Sequence, residues 1–463
     1  MMKRQNRVAF FNILSVLLLR GISIFTMPLF TRLLGDSGFG VTQIYNTWVT
    51  VIAVIFTVQT QGTLVNARVE YPEQDQEKYQ SAAMGLSVSV FGVCAALVLL
   101  AIDPVSQALK LPKLLIVLML VQALGTYCIN FLNMKFVYEF KAGRNMVMSL
   151  VVTLVTLGLS LALILPMPQE QRYYGRILAI ALTYGILGIP CGIYILMRGK
   201  TFFRRDYWRF CLGLAIPVVC YNLSDLILGQ SDKVMVQQML GDGFAGRYGA
   251  ALVLGGVMFT IFSALNNTWC PFFFEDMKQG KQEQVQRKAA NFLELFTVLS
   301  VGFILLAGEV YHVAVDPSFW DSTWLIPLFV ASYYLNFLCT FPINYEYFRK
   351  QTKPVAVVTI AASLINVALN WVLIQAMGMA GAAVATVISH SLQLLAHHLY
   401  VRFRLGGQDY PFRLGLWGRY ALAFFAVMAL VYLTQGLWLL RWLLGAAIGL
   451  WELVRIKKRG VLI

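Results

Sequence analysis

The sequence predicts an all-α polytopic membrane protein of about fourteen transmembrane helices: two parallel six-helix repeats forming N- and C-lobes, plus two extra C-terminal helices. Three observations lead there. The chain is 59% hydrophobic and only 13% charged, with a mean hydropathy of +0.68, whereas a soluble domain carries about 25% charge. Apolar runs of twenty or more residues recur along its length, each sufficient to cross about 30 Å of hydrocarbon as a helix. Finally, a glycine-rich motif near the start returns 206 residues later, as Leu34-Gly35-Asp36 and Leu240-Gly241-Asp242, with Gly40 matched by Gly246.

In chain order the spans fall near 8–34, 39–64, 81–101, 113–134, 146–166, 174–197, 210–240, 248–270, 291–312, 323–345, 355–376, 380–401, 415–434 and 438–454. The first follows Lys3, Arg4 and Arg7, as a signal peptide would. Its 27 residues exceed the ~7–15 of a signal core, and no small-x-small cleavage site follows, so it reads as a retained span. The seventh is long for a straight crossing, and a bend at Pro217 or in its polar second half is expected.

Charge tests this map independently. With the N-terminus inside, 28 of the 37 Lys and Arg residues fall on one face. Seven fall on the other: Arg32, Lys110, Lys113, Arg172, Arg176, Arg247 and Arg441. Arg20 and Lys233 remain within spans. Such asymmetry places both termini in the cytoplasm. The net charge of +15 therefore points to the cytoplasmic leaflet of a lipid bilayer and not to nucleic acid. The seven cysteines are scattered, mostly within apolar runs, without a CxxC pair or a Cys/His cluster, so neither a disulfide framework nor a metal site is expected.

The offset continues beyond the opening motif. Thr57 maps to Ser263, Gln61 to Asn267, Thr126 to Ser332 and Asn130 to Asn336; after a one-residue slip, Tyr138-Glu139 maps to Tyr345-Glu346. An even number of spans separates the copies, so they share one membrane orientation. Residues 1–200 are expected to form an N-lobe of six spans and 201–412 a C-lobe of six, with 413–463 adding two spans and a basic cytoplasmic tail. Parallel repeats of this kind place substrate sites between the halves.

Polar residues then mark candidate sites. The second span carries Asn46, Thr57 and Gln61, the fourth Gln122, Thr126, Asn130 and Asn133, the eighth Asn266 and Asn267, and the tenth Ser332, Asn336 and Asn344. Steps of three and four share a helix face. Amides facing lipid would go unsatisfied, so these stripes line a wet cavity or act as interhelical hydrogen-bonding glue. Buried charge is a sharper signal. Arg20 lies mid-span, and the offset carries it to Leu226, beside Asp225. Arg20 is expected to line a central cavity and attract an anionic group, with Asp225 as part-time partner and Asp232 and Lys233 as a second polar layer; a static ion pair is the alternative. His390 reads as a packing residue, and His397 and His398 as interfacial ones.

These residues also carry a resemblance. Asn12 with Pro28-Leu29-Phe30-Thr31-Arg32-Leu33-Leu34-Gly35 and Phe39-Gly40, Ser231-Asp232-Lys233 with Leu240-Gly241, and Asn366…Asn370 with Gly378-Met379-Ala380-Gly381 resemble signatures of polysaccharide flippases. These belong to the multidrug/oligosaccharidyl-lipid/polysaccharide (MOP) exporter superfamily. The resemblance covers nearly the whole chain. It implies Wzx-type, alternating-access translocation of an undecaprenyl-diphosphate-linked oligosaccharide, an O-antigen, capsule or exopolysaccharide unit, across the bacterial inner membrane. It also implies partners among polysaccharide-assembly membrane proteins. It implies no bound cofactor and leaves H+ or Na+ coupling open.

Two relatives of that reading compete with it. A lipid II flippase would carry more cavity arginines than the single Arg20 evident in the first lobe. A multidrug or cation antiporter would favour acidic cavity residues, whereas the buried charge here is mixed. A membrane glycan polymerase or acyltransferase needs positioned acid–base or metal groups; with no HExxH, no GxSxG and no sizeable outer loop, no catalytic residue is assigned.

Overall fold

The computed structural model describes residues 2–459 apart from 140, 407–409, 413 and 435, and leaves the side chains of 2–25, 142, 221, 414, 456, 458 and 459 undescribed. Arg20 is among these, so the expectation placed on its side chain lies outside the described residues. The chain is helical, with no strand among the described residues. Its helices are α1 (Met2–Phe56), α2 (Leu64–Glu70), α3 (Glu73–Leu100), α4 (Ile102–Leu109), α5 (Lys113–Tyr138), α6 (Ala142–Ile164), α7 (Arg172–Gly199) and α8 (Arg205–Leu240). They continue with α9 (Asp242–Lys278), α10 (Gln282–Ala314), α11 (Ile326–Phe348), α12 (Thr352–Met377), α13 (Met379–Arg404), α14 (Leu414–Leu433) and α15 (Trp438–Arg459).

Twelve segments among the described residues are long and apolar enough to cross a membrane. One of them, Thr26–Phe56, takes in parts of the first two expected spans, because α1 runs through both and departs from helical geometry at Gly35, with φ 66° and ψ 179°. The last expected span is helical as α15 but carries Arg441, Glu452 and Arg455, so apolarity alone does not mark it.

Several boundaries differ from expectation. The second span stops at Phe56 and not at residue 64. Val58 and Gln59 adopt left-handed backbone conformations, with φ of 52° and 46°, and a short 3-10 turn, Thr60–Thr63, then leads into α2. Gln61 therefore lies in that turn and not on a membrane helix. Neither left-handed residue is a glycine, the nearest being Gly62 in the turn; Gln59 is held by Asn222 of α8, whose Nδ2 donates to Gln59 Oε1 at 2.5 Å. The seventh span is one continuous helix of 36 residues with Pro217 inside it. The eighth extends to Lys278, past Pro271.

Two compact units result, one of residues 1–230 with 241–246, the other of 231–240 with 247–463. In the first, α5 and α7 pack backbone to backbone. A Cβ on Gly125 would collide with the carbonyl oxygen of Tyr184, and one on Gly188 with the backbone of Gly125. Small residues are what allow such approach between membrane helices. An aromatic and hydroxyl cluster packs next to this approach: Thr60 bonds Tyr127 at 2.6 Å and Ser87 at 2.8 Å, and Thr63 bonds Tyr79 at 2.7 Å. The core of the second unit is an aromatic seam. Trp269 stacks on Phe292 with centroids 5.6 Å apart, Phe296 meets Phe337 at 4.3 Å, and Phe341 meets Trp417 at 4.7 Å.

Candidate functional site

Within the first unit, α1, α5, α6 and α7 line an open-sided cavity of about 260 Å³. Its lining is Thr26, Phe30, Asn46, Gln122, Thr153, Thr156, Leu157, Arg176, Ile180 and Tyr184. Arg176 is the single charged residue of this lining. Its guanidinium lies 3.7 Å from the Phe30 ring centroid, within cation–π range, and Nη1 donates to Ser160 Oγ at 2.5 Å. Ser160 in turn donates to the Thr156 carbonyl. Across the cavity, Gln122 Nε2 donates to Asn46 Oδ1 at 3.4 Å. Gln122 is 5% exposed and its Oε1 has no hydrogen-bond partner in the structure.

Arg176, counted on the outer face by the charge map, lies one turn inside α7, with its guanidinium against Phe30 and Ser160. Sequence spacing hid this because its contacts, Phe30 and Ser160, lie on α1 and α6. The missed signal was its position two residues inside the expected sixth span.

The polar stripes meet in two places. Asn46 of the second expected span bonds Gln122 of the fourth, and Asn344 Nδ2 of the tenth donates to Asn266 Oδ1 of the eighth at 3.4 Å. Asn130, Asn267 and Asp225 are exposed, and Asn336 is half-buried. Eight residues separate Asn130 from Gln122, which at 3.6 residues per turn rotates it about 80° off the cavity face. Gln61 Oε1 is buried without a hydrogen-bond partner in the structure.

A second polar cluster forms in the second unit. Asp232 is 2% exposed; Tyr248 donates to its Oδ2 at 2.6 Å and the Lys233 backbone N–H to its Oδ1 at 2.8 Å. Its neighbour Ser231 donates to Asn366 Oδ1 at 3.3 Å. Asn366 also accepts from Asn370 at 3.0 Å and donates to Thr386 Oγ1 at 3.3 Å. The Oδ1 of Asn370 is buried with no hydrogen-bond partner in the structure. Ser231 of α8 and the family-like Asn366 and Asn370 of α12 are therefore brought together, with Asp232 the next residue along α8. The Lys233 side chain is half-buried.

The histidines divide. His390 is buried and bonds Gln393 Oε1 through Nδ1 at 3.2 Å, as a packing residue should. His397 is not interfacial: it is fully buried, and its Nδ1 lies 2.8 Å from Glu346 Oε1, itself fully buried. Among the described residues no group of three or more His, Cys, Asp or Glu side chains is arranged to hold a metal ion.

Helical architecture, apolar spans and polar-lined interior together define a multi-pass membrane protein with the fold of MOP-superfamily transporters. The chain belongs to the polysaccharide biosynthesis protein family, whose sequence model matches residues 7–277. A curated relative, Lsg locus putative protein 1 of Haemophilus influenzae, is 22% identical over 209 residues, or 43% of this chain; the match spans about half, 52%, of that relative's length. Among solved structures, the lipid II flippase MurJ in an inward closed conformation is similar with a TM-score of 0.70 at 14% identity, over 98% of this chain and 99% of that one. An inward-facing multidrug-resistance transporter of the MATE family is similar with a TM-score of 0.60 at 14% identity, over 86% and 95%. At these identities the likeness establishes the fold.

Proposed function

We propose that this chain is a flippase. It moves an undecaprenyl-diphosphate-linked oligosaccharide from the cytoplasmic to the periplasmic leaflet of the bacterial inner membrane, with both termini cytoplasmic. Membership of the polysaccharide biosynthesis family supports the substrate class, and the fold supports transport. The observation that carries the reading is the polar cavity inside a membrane unit, bearing one cation and no carboxylate in its lining. A cation carrier would need the opposite sign, and a catalytic site would need acid–base groups the lining lacks. Residues 1–200 and 201–412 act as two lobes of a duplicated bundle that alternate access to a shared path. The isoprenoid tail stays in lipid while the sugar-diphosphate head crosses.

Energy coupling belongs to the same proposal and is assigned to Asp232. A buried carboxylate inside a membrane is expensive and marks a site of function by default. Its neighbour Ser231 bonds the Asn366 amide, which is linked to Asn370 and Thr386; carboxylate, amide and hydroxyl oxygens are the donors a hard cation such as Na+ takes, and the carboxylate could carry a proton instead.

The test is reconstitution in vesicles carrying an undecaprenyl-diphosphate glycan, with glycan exposure read by an externally added glycosidase. Exposure that depends on the chain, exceeds that seen with lipid II, and falls in Asp232→Asn is expected. Exposure no faster than in empty vesicles for every lipid-linked glycan offered, across both Na+ and H+ gradients, would sink the reading.

A further inference from the structure

We propose that the cavity around Arg176 is an anion subsite that takes a single sugar-phosphate or sugar-carboxylate group of the carried head; this rests on the flippase reading above. A guanidinium has five N–H donors. In the cavity wall one of them reaches Ser160, and the flat face is occupied by Phe30. Among the described residues no carboxylate lines the cavity, so the cation is held among polar groups but not neutralised. An oxyanion entering the cavity would meet the remaining donors of a fork suited to two-point recognition of phosphate or carboxylate.

Around this donor the lining is hydroxyl and amide, from Thr153, Thr156, Asn46 and Gln122. A ligand matched to such a wall carries an oxyanion and hydroxyls together, which is the chemistry of a phosphorylated or acidic sugar. At about 260 Å³ the space falls below the roughly 300–1,000 Å³ of whole-ligand sites. It accepts one such group and not an oligosaccharide.

Depth adds a direction. Arg176 lies four residues after Arg172, where α7 begins, or about 6 Å along the helix. The subsite therefore lies in the membrane half facing the α6–α7 connection. In the proposed orientation this is the periplasmic half, so it holds the head after the crossing and before release.

The full chain in nanodiscs is titrated with pyrophosphate, with glucuronate and with glucose, and binding is read by calorimetry. Saturable binding of an anion, absent for glucose, is expected, weakened about tenfold or more in Arg176→Gln and only partly kept in Arg176→Lys, which retains the charge but not the fork. Gln122→Glu, which adds a carboxylate to the wall and leaves the Phe30 contact alone, is expected to abolish anion binding with the melting temperature within a few degrees of the parent. Pyrophosphate binding alone assigns the subsite to the diphosphate; glucuronate binding alone assigns it to an acidic sugar. Equal anion affinity in parent, Arg176→Gln and Gln122→Glu, or no anion binding by the parent, overturns the subsite. Anion binding without glycan exposure in vesicles would instead overturn the flippase reading and leave the subsite standing.

Discussion

Gly40 and Gly246 are held against each other by a reciprocal contact in which each glycine faces the backbone of the other's loop. A Cβ on Gly40 would collide with the carbonyl oxygen of Asp242, and a Cβ on Gly246 with that of Asp36. The 206-residue offset carries Asp36 onto Asp242 and Gly40 onto Gly246, so the contact has the self-complementary form of a two-fold relation. Only hydrogen fits at these positions, since a backbone carbonyl cannot swing away as a side chain would. Gly40→Ala and Gly246→Ala are each expected to destabilise by about 1–3 kcal/mol or more, as overpacking does. Thermal melting in detergent should show both, while Gly92→Ala, where a Cβ meets nothing within 4 Å, leaves the melt unchanged.

The His397–Glu346 pair ties α13 to α11 with both side chains out of contact with solvent. Removing one member strands the other, and losses of about 3–5 kcal/mol are typical for buried pairs broken in this way. Glu346→Ala and His397→Ala should each lower the melting temperature strongly. The double variant should lose much less than the sum, which a double-mutant cycle measures. Additive losses would show that the two side chains act separately.

Arg441 of α15 donates to Glu309 of α10, and Trp442 Nε1 lies 3.3 Å from the other oxygen of the same carboxylate. Hydrogen bonds to charged groups contribute about 1.5–3 kcal/mol. Arg441→Gln is expected to lose about that much, seen as a lower melting temperature and as faster proteolysis within the 434–438 connection. Protection there equal to the parent's would argue that α15 is held by its apolar face alone.

Orientation is testable by fusions. A fluorescent protein that matures only in the cytoplasm should fluoresce at the C-terminal end, and alkaline phosphatase inserted near residue 168 should be active. The reverse pattern would invert the assignment and move the Arg176 subsite to the cytoplasmic half.

How far the sequence could be read depended on whether the property was periodic or spatial. The spans were legible because apolar length is written directly into the chain. That Asn46, Gln122, Asn266 and Asn344 lie on polar stripes was legible because step size places polar groups on one face; which of them pair was not. Rotation around the helix was not: Asn130 shares a stripe with Gln122 in sequence yet turns off the cavity. The surroundings of Arg176 were not legible, because nothing in the local pattern says that Phe30 and Ser160 will close around it. The break after Phe56 was equally hidden, because Val58 and Gln59 adopt left-handed geometry that their side chains disfavour, and the support from Asn222 lies 163 residues away.

The Glu309–Arg441 contact also has a consequence for how the chain is made. Its partners are 132 residues apart, and ribosomes add about 5–20 residues per second. Roughly 7 to 26 s therefore pass between synthesis of the carboxylate and arrival of its guanidinium, and Trp442 comes no earlier. Through that interval α10 is in place with its acid waiting, and the last helix to leave the ribosome completes a contact begun long before it.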